Sequence, residues 1–301
     1  MSTRAGLLPS DCDSFLFTRP PDASGQGAGT SRRGAHAGRL GAMPPAPVLR
    51  CGRMPERVAI FGATSAIAAE VARVYARRGA HLYLVGRDPA KLARLREALG
   101  VAVVGMATAD FTEMDRAAAR VSEARAALGG ELDVALIVHG YLGDQLASEA
   151  DVDEARLIVD TNLTSVVALV IPLANHFEDR GAGHLAVIGS VAGDRGRPRN
   201  YTYGAAKGAL AVYLQGVRAR LGGRGVGVHL LKLGPVDTPM TVDHHKNLLF
   251  AQPPAVAAAI VAAIDRGQAE AYVPWFWRYI MAIVRNVPDW LFRRVRALQA
   301  R

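Results

Sequence analysis

RVAIFGATSAIAAEVARVYARRGAHLYLVGR, residues 57–87, decides how this chain folds. A short apolar run ends in Gly62, a stretch with helical spacing of apolar residues follows, and HLYLVGR (81–87) is a second apolar run. A strand, a helix and a strand of these lengths form a βαβ unit, with parallel strands and the helix covering one face. The alternation then continues outward. DPAKLARLREALG (88–100) is helical, VAVVGMATAD (101–110) strand-like, the region around 114–129 helical and LDVALIVHG (132–140) strand-like again. A longer helical region spans about 152–179, followed by HLAVIGS (184–190), a helix from about 204 to 221, and VGVHLLKLG (226–234). PPAVAAAIVAAIDRG (253–267) and EAYVPW (270–275) complete the series. The pattern predicts an α/β fold, a doubly wound parallel sheet of about seven strands with helices on both faces.

Composition narrows the chemistry. Of 301 residues, 50% are apolar and 21% charged, enough to bury a sizeable core. The two cysteines, Cys12 and Cys51, both precede residue 54, and no Cys/His cluster has zinc spacing. Neither thiol nor zinc chemistry is expected, and no metal site. The net charge of +9 sits at the ends. Residues 1–53 hold seven Arg and three Asp, residues 275–301 six Arg and one Asp, and residues 54–274 balance. A neutral body argues against nucleic-acid binding.

Three segments follow. Residues 1–53, rich in Gly, Ala, Arg, Pro and Ser, read as a disordered extension, or as sequence ahead of a start at Met43 or Met54. The short apolar group Leu16–Phe17, between Asp13 and Arg19, is no secretory core. Residues 54–274 read as the globular domain and 275–301 as a basic, aromatic, amphipathic tail.

The turn Gly62–Ala68 opens a helix directly after the first strand. A tight turn of small residues lets backbone N–H groups, at Thr64, Ser65 and Ile67 among others, approach a pyrophosphate. A ligand-free strand-to-helix turn would look the same. Only Gly62 remains of the usual three glycines; Ala66 and Ala68 stand for the others and require right-handed backbone angles. The second strand ends in Arg87-Asp88-Pro89. Asp88 reads as a helix N-cap with Pro89 at the first helical position. Arg87 suits the 2′-phosphate of NADP(H) over NAD(H), the alternative being a solvated surface charge.

Tyr203-Gly-Ala-Ala-Lys207 carries the chemistry. A spacing of four sets both side chains on one helix face, where an ammonium would lower the phenol's pKa and fit it for acid–base work. Ser190, thirteen residues earlier at a strand end, offers a hydroxyl to a substrate carbonyl. Asn162, in a helical stretch, offers an amide that orders either a backbone group or a water.

Ser190, Tyr203, Lys207, Asn162 and the Gly62 turn, in this order and spacing over about 56–274, together resemble the classical short-chain dehydrogenase/reductase family. The resemblance implies a Rossmann-like fold and an NAD(P)-dependent oxidoreductase that interconverts alcohol and carbonyl groups. By that likeness Tyr203 donates the proton and Lys207 binds the nicotinamide ribose and lowers the Tyr203 pKa. Ser190 orients the carbonyl, and Asn162 holds a water linking Lys207 to solvent. Asp110 and Phe111 would hold adenine, with His139 and Gly140 beside the ribose and Val236 and Thr238 as later cofactor contacts. Three departures stand out: the depleted glycine turn, Val138-His139-Gly140 in place of Asn-Ala-Gly, and Gly234-Pro235 in place of Pro-Gly. His139 reads as a filler, with a catalytic base as the alternative.

HGYLGD (139–144), YGAAKGAL (203–210) and AYVPWFWRYIMAIVRNVPDWLFRRV (271–295) further resemble the decaprenylphosphoryl-2-keto-erythro-pentose reductases. That likeness implies a lipid-linked keto sugar as substrate, a flavin-dependent sugar oxidase as partner, and a role in cell-wall polysaccharide synthesis. The family likeness implies a homo-oligomer. The alternatives are a soluble reductase of small ketones or fatty-acyl carbonyls, and a non-catalytic NADP(H)-binding protein. Residues 239–252 read as a lid over the substrate. All three tryptophans fall in the tail, whose apolar block of about ten residues is too short to span a bilayer and is interrupted by Arg278 and Arg285. That pattern suits a helix lying on an anionic membrane surface, the alternative being a helix packed on the body or a second subunit. The expected location is cytoplasmic, peripheral at the inner face of the membrane.

Overall fold

The structure, a computed structural model, describes residues 55–239 and 249–294. The extension 1–53, most of the expected lid and residues 295–301 of the tail lie outside the described residues.

Seven strands form one parallel sheet: β1 (Arg57–Phe61), β2 (His81–Gly86), β3 (Val103–Thr108), β4 (Val134–Ile137), β5 (Gly183–Ser190), β6 (Val226–Leu233) and β7 (Glu270–Val273). Their spatial order is β3-β2-β1-β4-β5-β6-β7. The order reverses between β1 and β4, and a crevice opens there at the carboxyl ends of the strands. Helices α1 (Ala66–Arg77), α2 (Pro89–Leu99) and α3 (Ala117–Ala127) follow the first three strands. Next come α4 (Gln145–Ala150), α5 (Val152–Val159), α6 (Ser165–Arg180), α7 (Tyr201–Leu221) and α8 (Pro253–Asp265), and the tail forms α9 (Trp277–Asn286) and α10 (Asp289–Phe292).

Strand side chains alternate between the two faces. Val58, Ile60, Leu82 and Leu84 pack against Val71 and Tyr75 of α1, Leu92 of α2 and Ile260 of α8. Ala59, Phe61, Tyr83 and Val85 join the opposite layer, with Val121 of α3, Phe177 of α6 and Leu214 of α7. The doubly wound sheet expected from the sequence is the fold observed.

Local chemistry sets the helix starts. Ser65 caps α1 by accepting from the Ala68 N–H at 3.1 Å. Asp88 caps α2 through the Lys91 N–H at 3.0 Å, with Pro89 opening the helix as expected. Ala66 and Ala68 fall inside α1 and need no glycine. Gly62, at φ +95°, does: a Cβ there would run into the His139 backbone. Helix α7 begins at Tyr201, three residues earlier than the sequence suggested. Between α5 and α6 the helix widens into a π turn at Asp160–Thr164, which the apolar periodicity did not reveal. The helical run 152–180 is long and apolar enough to cross a membrane by length and composition, yet half of its apolar window is buried in the fold.

At the amino ends of the strands Asp133 ties three elements together. It accepts from the Arg57 backbone N–H at 2.9 Å, from the Arg57 guanidinium at 3.0 Å and from Arg180 of α6 at 2.7 Å. Burial works to raise its pKa, but the Arg57 side chain and backbone and the Arg180 guanidinium outweigh it and hold the carboxyl well below the usual range. A depressed folded-state pKa contributes stability above the unfolded value, lost as pH falls toward the folded one. Asp133→Asn is expected to lower the thermal midpoint at pH 7, and the gap from wild type should shrink steadily below about pH 4. A pH series of thermal melts checks this; a gap independent of pH would refute it.

Candidate active site

Tyr203 and Lys207 stand one turn apart at the start of α7, and Ser190 closes β5 beside them. The close packing of α7 on the 3-10 turn after Ser190 (Val191–Asp194) brings the hydroxyls together. A Cβ on Gly193 would strike the Lys207 backbone, and one on Gly204 the Ala192 carbonyl. The Ser190 hydroxyl lies close enough to Tyr203 to pull the phenol's pKa down, and its Oγ accepts from the Ala192 N–H at 3.1 Å.

Lys207 is 4% exposed, and its Nζ donates to the Ile188 carbonyl at 3.2 Å. Burial alone brings its pKa down to about 8. Its Nζ lies 5.8 Å from the Tyr203 ring centre. The expected lowering of the Tyr203 pKa by Lys207 is not what this geometry gives. Desolvation pushes the phenol up to about 12, and the nearby Ser190 hydroxyl offsets only part of that rise.

Asn162 sits in the π turn, fully buried. Its Nδ2 donates to the Tyr141 carbonyl at 2.5 Å and the Ile158 carbonyl at 2.8 Å, and its Oδ1 accepts from the Tyr141 N–H at 3.2 Å. The side chain therefore orders backbone, the first of the two roles read from sequence. Both amide hydrogens are committed, so a water could meet this side chain only at Oδ1. Asn162 and Lys207 converge on Gly140, where a Cβ would lie 2.9 Å from Oδ1 and 3.7 Å from Nζ.

His139 stacks on Phe111 with ring centres 4.2 Å apart and planes 7° apart. Its Nε2 lies 2.8 Å from Ser165 Oγ, which donates its own proton to the Thr161 carbonyl at 2.9 Å. Ser165 must then accept, so Nε2 carries the proton and Nδ1 is a bare acceptor, buried and without a protein partner. Burial first, then the charges of Lys207 and Arg87, bring the His139 pKa down to about 3. So weak a base does not suit general-base catalysis near neutral pH.

Around the crevice, Gly86 abuts Thr64, and Arg87 is exposed at the end of β2. Asp110 accepts from the Thr112 N–H and hydroxyl at 2.9 and 2.8 Å, which hold its pKa down. Ser65 is committed to capping, and Ile67 is half-buried in the first turn of α1. Val236 turns its side chain into the core, and Thr238 stands near the end of the described segment. A groove of about 200 Å³ beside Thr64 gathers Arg73, Lys91 and Arg94, which the sequence reading passed over. Their helical spacing was visible; their approach to the turn depends on how α1 and α2 pack. Among the described residues no group of three His, Cys, Asp or Glu could hold a metal ion.

The tail docks beside this site. Trp277, Met281, Val284 and Phe292 bury themselves with Val191, next to Ser190. Arg195 donates to the Val284, Arg285 and Val287 carbonyls at 3.1, 3.2 and 2.5 Å and to Asp289 at 2.5 Å, clamping the end of α9. The packed-helix alternative is thus realised on one face of the tail. It also accounts for Gly234: the Trp277 indole occupies the space that a Cβ there would need.

The comparisons agree with this architecture. The chain matches the short chain dehydrogenase family model over residues 56–248. It is 35% identical to an uncharacterized oxidoreductase of Mycobacterium tuberculosis over 240 residues, covering 79% of this chain and 96% of that one. An uncharacterized oxidoreductase of Streptomyces coelicolor is 32% identical over 242 residues, covering 80% and 96%. A solved short chain dehydrogenase/reductase family protein superposes with a TM-score of 0.65 at 25% identity, over 72% of this chain and 95% of its own. The chain belongs to the short-chain dehydrogenase/reductase family and is an NAD(P)-dependent oxidoreductase. The relatives' names go no further than oxidoreductase and do not reach the keto-sugar reductases.

Removing the Asn162 amide strands the Tyr141 N–H and the Tyr141 and Ile158 carbonyls. Asn162→Ala is expected to cost about 1–3 kcal/mol of unfolding free energy without any cofactor present. Denaturant titration of the ligand-free protein measures it, and an unchanged midpoint would rule out this clamp.

Proposed function

We propose that this protein is an NADP(H)-dependent reductase of a keto group. The observation that carries the reading is the convergence of the Ser190 and Tyr203 hydroxyls beside the buried Lys207, whose Nζ lies 5.8 Å from the Tyr203 ring centre and bonds the Ile188 carbonyl two residues before Ser190. Ser190 hydrogen-bonds the substrate's carbonyl oxygen, and Tyr203, whose high pKa keeps it protonated, gives that oxygen its proton. Lys207 holds a positive charge where phenolate then develops. The cofactor, when bound, supplies the hydride.

The crevice fits a dinucleotide. The close turn at Gly62 and the bare His139 Nδ1, a buried acceptor for a hydroxyl donor, both support it. Gly62, Thr64, Ser65 and Ile67 would hold the pyrophosphate, Asp110 and Phe111 the adenine, and His139, Gly140, Tyr203 and Lys207 the riboses. Val236 and Thr238 would close the far side. Arg87, backed by Arg73, Lys91 and Arg94 around the neighbouring groove, supports a preference for the 2′-phosphate. For the substrate we favour a lipid-linked keto sugar, supplied by a flavin-dependent oxidase. The exposed aromatic side of the tail, Trp275 and Tyr279, held close to the turn after Ser190 by its packed side, is the feature that supports it.

Tyr203→Phe is expected to cut carbonyl reduction at least about a hundredfold while NADPH binding changes little. Steady-state turnover and a cofactor titration read the two separately. Turnover close to wild type would remove Tyr203 from the mechanism. Because reduction needs both the protonated phenol and the Lys207 ammonium, whose pKa lies at about 8, its rate should hold from about pH 6 to 7 and fall off toward pH 8. The reverse oxidation, needing phenolate, should climb over that range. Arg87→Ala should weaken NADPH at least about tenfold more than NADH; equal losses for both would mean that Arg87 does not meet the 2′-phosphate.

A further inference from the structure

The tail has two faces, and the body uses only one. Trp277, Met281 and Val284, spaced as one helical row, turn inward, and Arg195 fixes the end of α9. The opposite row, Trp275, Tyr279 and Ile283, is 72%, 63% and 69% exposed, and Trp290 and Leu291 of α10 are 58% and 38% exposed. Five exposed large apolar side chains within residues 275–291, with the Trp275 and Tyr279 rings 6.0 Å apart, are more than the scattered exposure common to soluble surfaces. Arg278 and Arg285 are exposed on α9, and Arg293 and Arg294 are exposed directly after α10. The one acid of the segment, Asp289, is bonded to Arg195.

The geometry points to this surface, Trp275 to Arg294, as a docking face for an anionic lipid bilayer. The helices lie flat, with the aromatic row at headgroup depth and the arginines among the lipid phosphates. Charge chooses between the occupants. A second copy of this chain seated on the patch across a two-fold axis would set arginines against arginines. An anionic surface meets the same four charges favourably, and tryptophan and tyrosine suit the boundary between headgroups and acyl chains. The inward clamp makes this a preformed surface that orders no new segment on binding. The inference is independent of which carbonyl the enzyme reduces.

Deleting the tail would uncover Val191 and the turn after Ser190, so the test uses outward substitutions in the full chain. Co-sedimentation compares vesicles of phosphatidylcholine alone with vesicles of equal phosphatidylcholine and phosphatidylglycerol, at low and high salt. The wild-type protein should bind the anionic vesicles at least about tenfold more tightly and lose that advantage as salt screens the charges. Its tryptophan emission should shift to the blue on binding. Two variants, Trp275→Ala with Tyr279→Ala and Ile283→Ala, and Arg278→Gln with Arg285→Gln and Arg293→Gln, should each lose at least about tenfold in vesicle affinity. Their melting points should stay at the wild-type value. Three results would each overturn the inference. One is a wild-type protein that ignores anionic vesicles at low salt. Another is variants that bind like wild type. The third is an aromatic variant that breaks up an oligomer in sedimentation velocity while leaving vesicle affinity unchanged, which would give the face to a second copy.

Discussion

An ammonium buried to 4% exposure is the constraint around which the site is built. A charge taken out of water costs several kcal/mol unless polar groups replace the lost hydration. Lys207 meets that demand with the Ile188 carbonyl, two residues from Ser190, so the lysine is locked to the strand that ends in the serine. The same enclosure brings Gly140 and Asn162 against it, and Asn162 in turn fixes the Tyr141 backbone. Three chain segments distant in sequence, after β4, between α5 and α6, and at the head of α7, are thereby held to one point. The phenol of Tyr203 shares the enclosure, and its loss of hydration explains why its pKa rises where the spacing to Lys207 suggested a fall. Such a residue stays protonated at neutral pH, and giving up that proton requires positive charge or hydrogen bonds that hold the phenolate.

The depleted glycine turn is less of a loss than it looks. Ala66 and Ala68 occupy ordinary helical positions, while Gly62, the remaining glycine, has a positive φ and sits against the His139 backbone. His139 makes up for part of what it displaces. Its ring fills the space over Phe111 and gives its proton to Ser165, and it leaves one neutral acceptor in the crevice.

The third departure belongs to the tail. Trp277 lies on Gly234, and Arg195, five residues past Ser190, holds the end of α9. Beneath them Lys232 binds Asp194 and Glu270, each at 2.7 Å, and Tyr272 donates to Asp194 at 2.7 Å. Asp194 thus fastens the turn after Ser190 to β6 and β7, and Arg195 fastens the tail to that turn. A displacement of the tail would be felt at the serine, since few contacts intervene.

The sequence by itself determined what is periodic or local. The order of strands and helices, the caps at Ser65 and Asp88, and the one-turn spacing of Tyr203 and Lys207 follow from side-chain period and backbone chemistry acting over a few residues. Those signals survive in a single sequence because each is complete within one element. The tertiary structure alone decided what depends on elements meeting. The π turn that aims Asn162, the neutral tautomer of His139 and the rise of the Tyr203 pKa arise from packing and desolvation, which no spacing encodes. The tail shows the division most plainly. Its sequence gave an amphipathic, aromatic, basic helix and left two destinations open. Its contacts with Val191, Gly234 and Arg195 bury one face on the body and leave the other outside, because a helix has two sides and only a neighbour can choose between them.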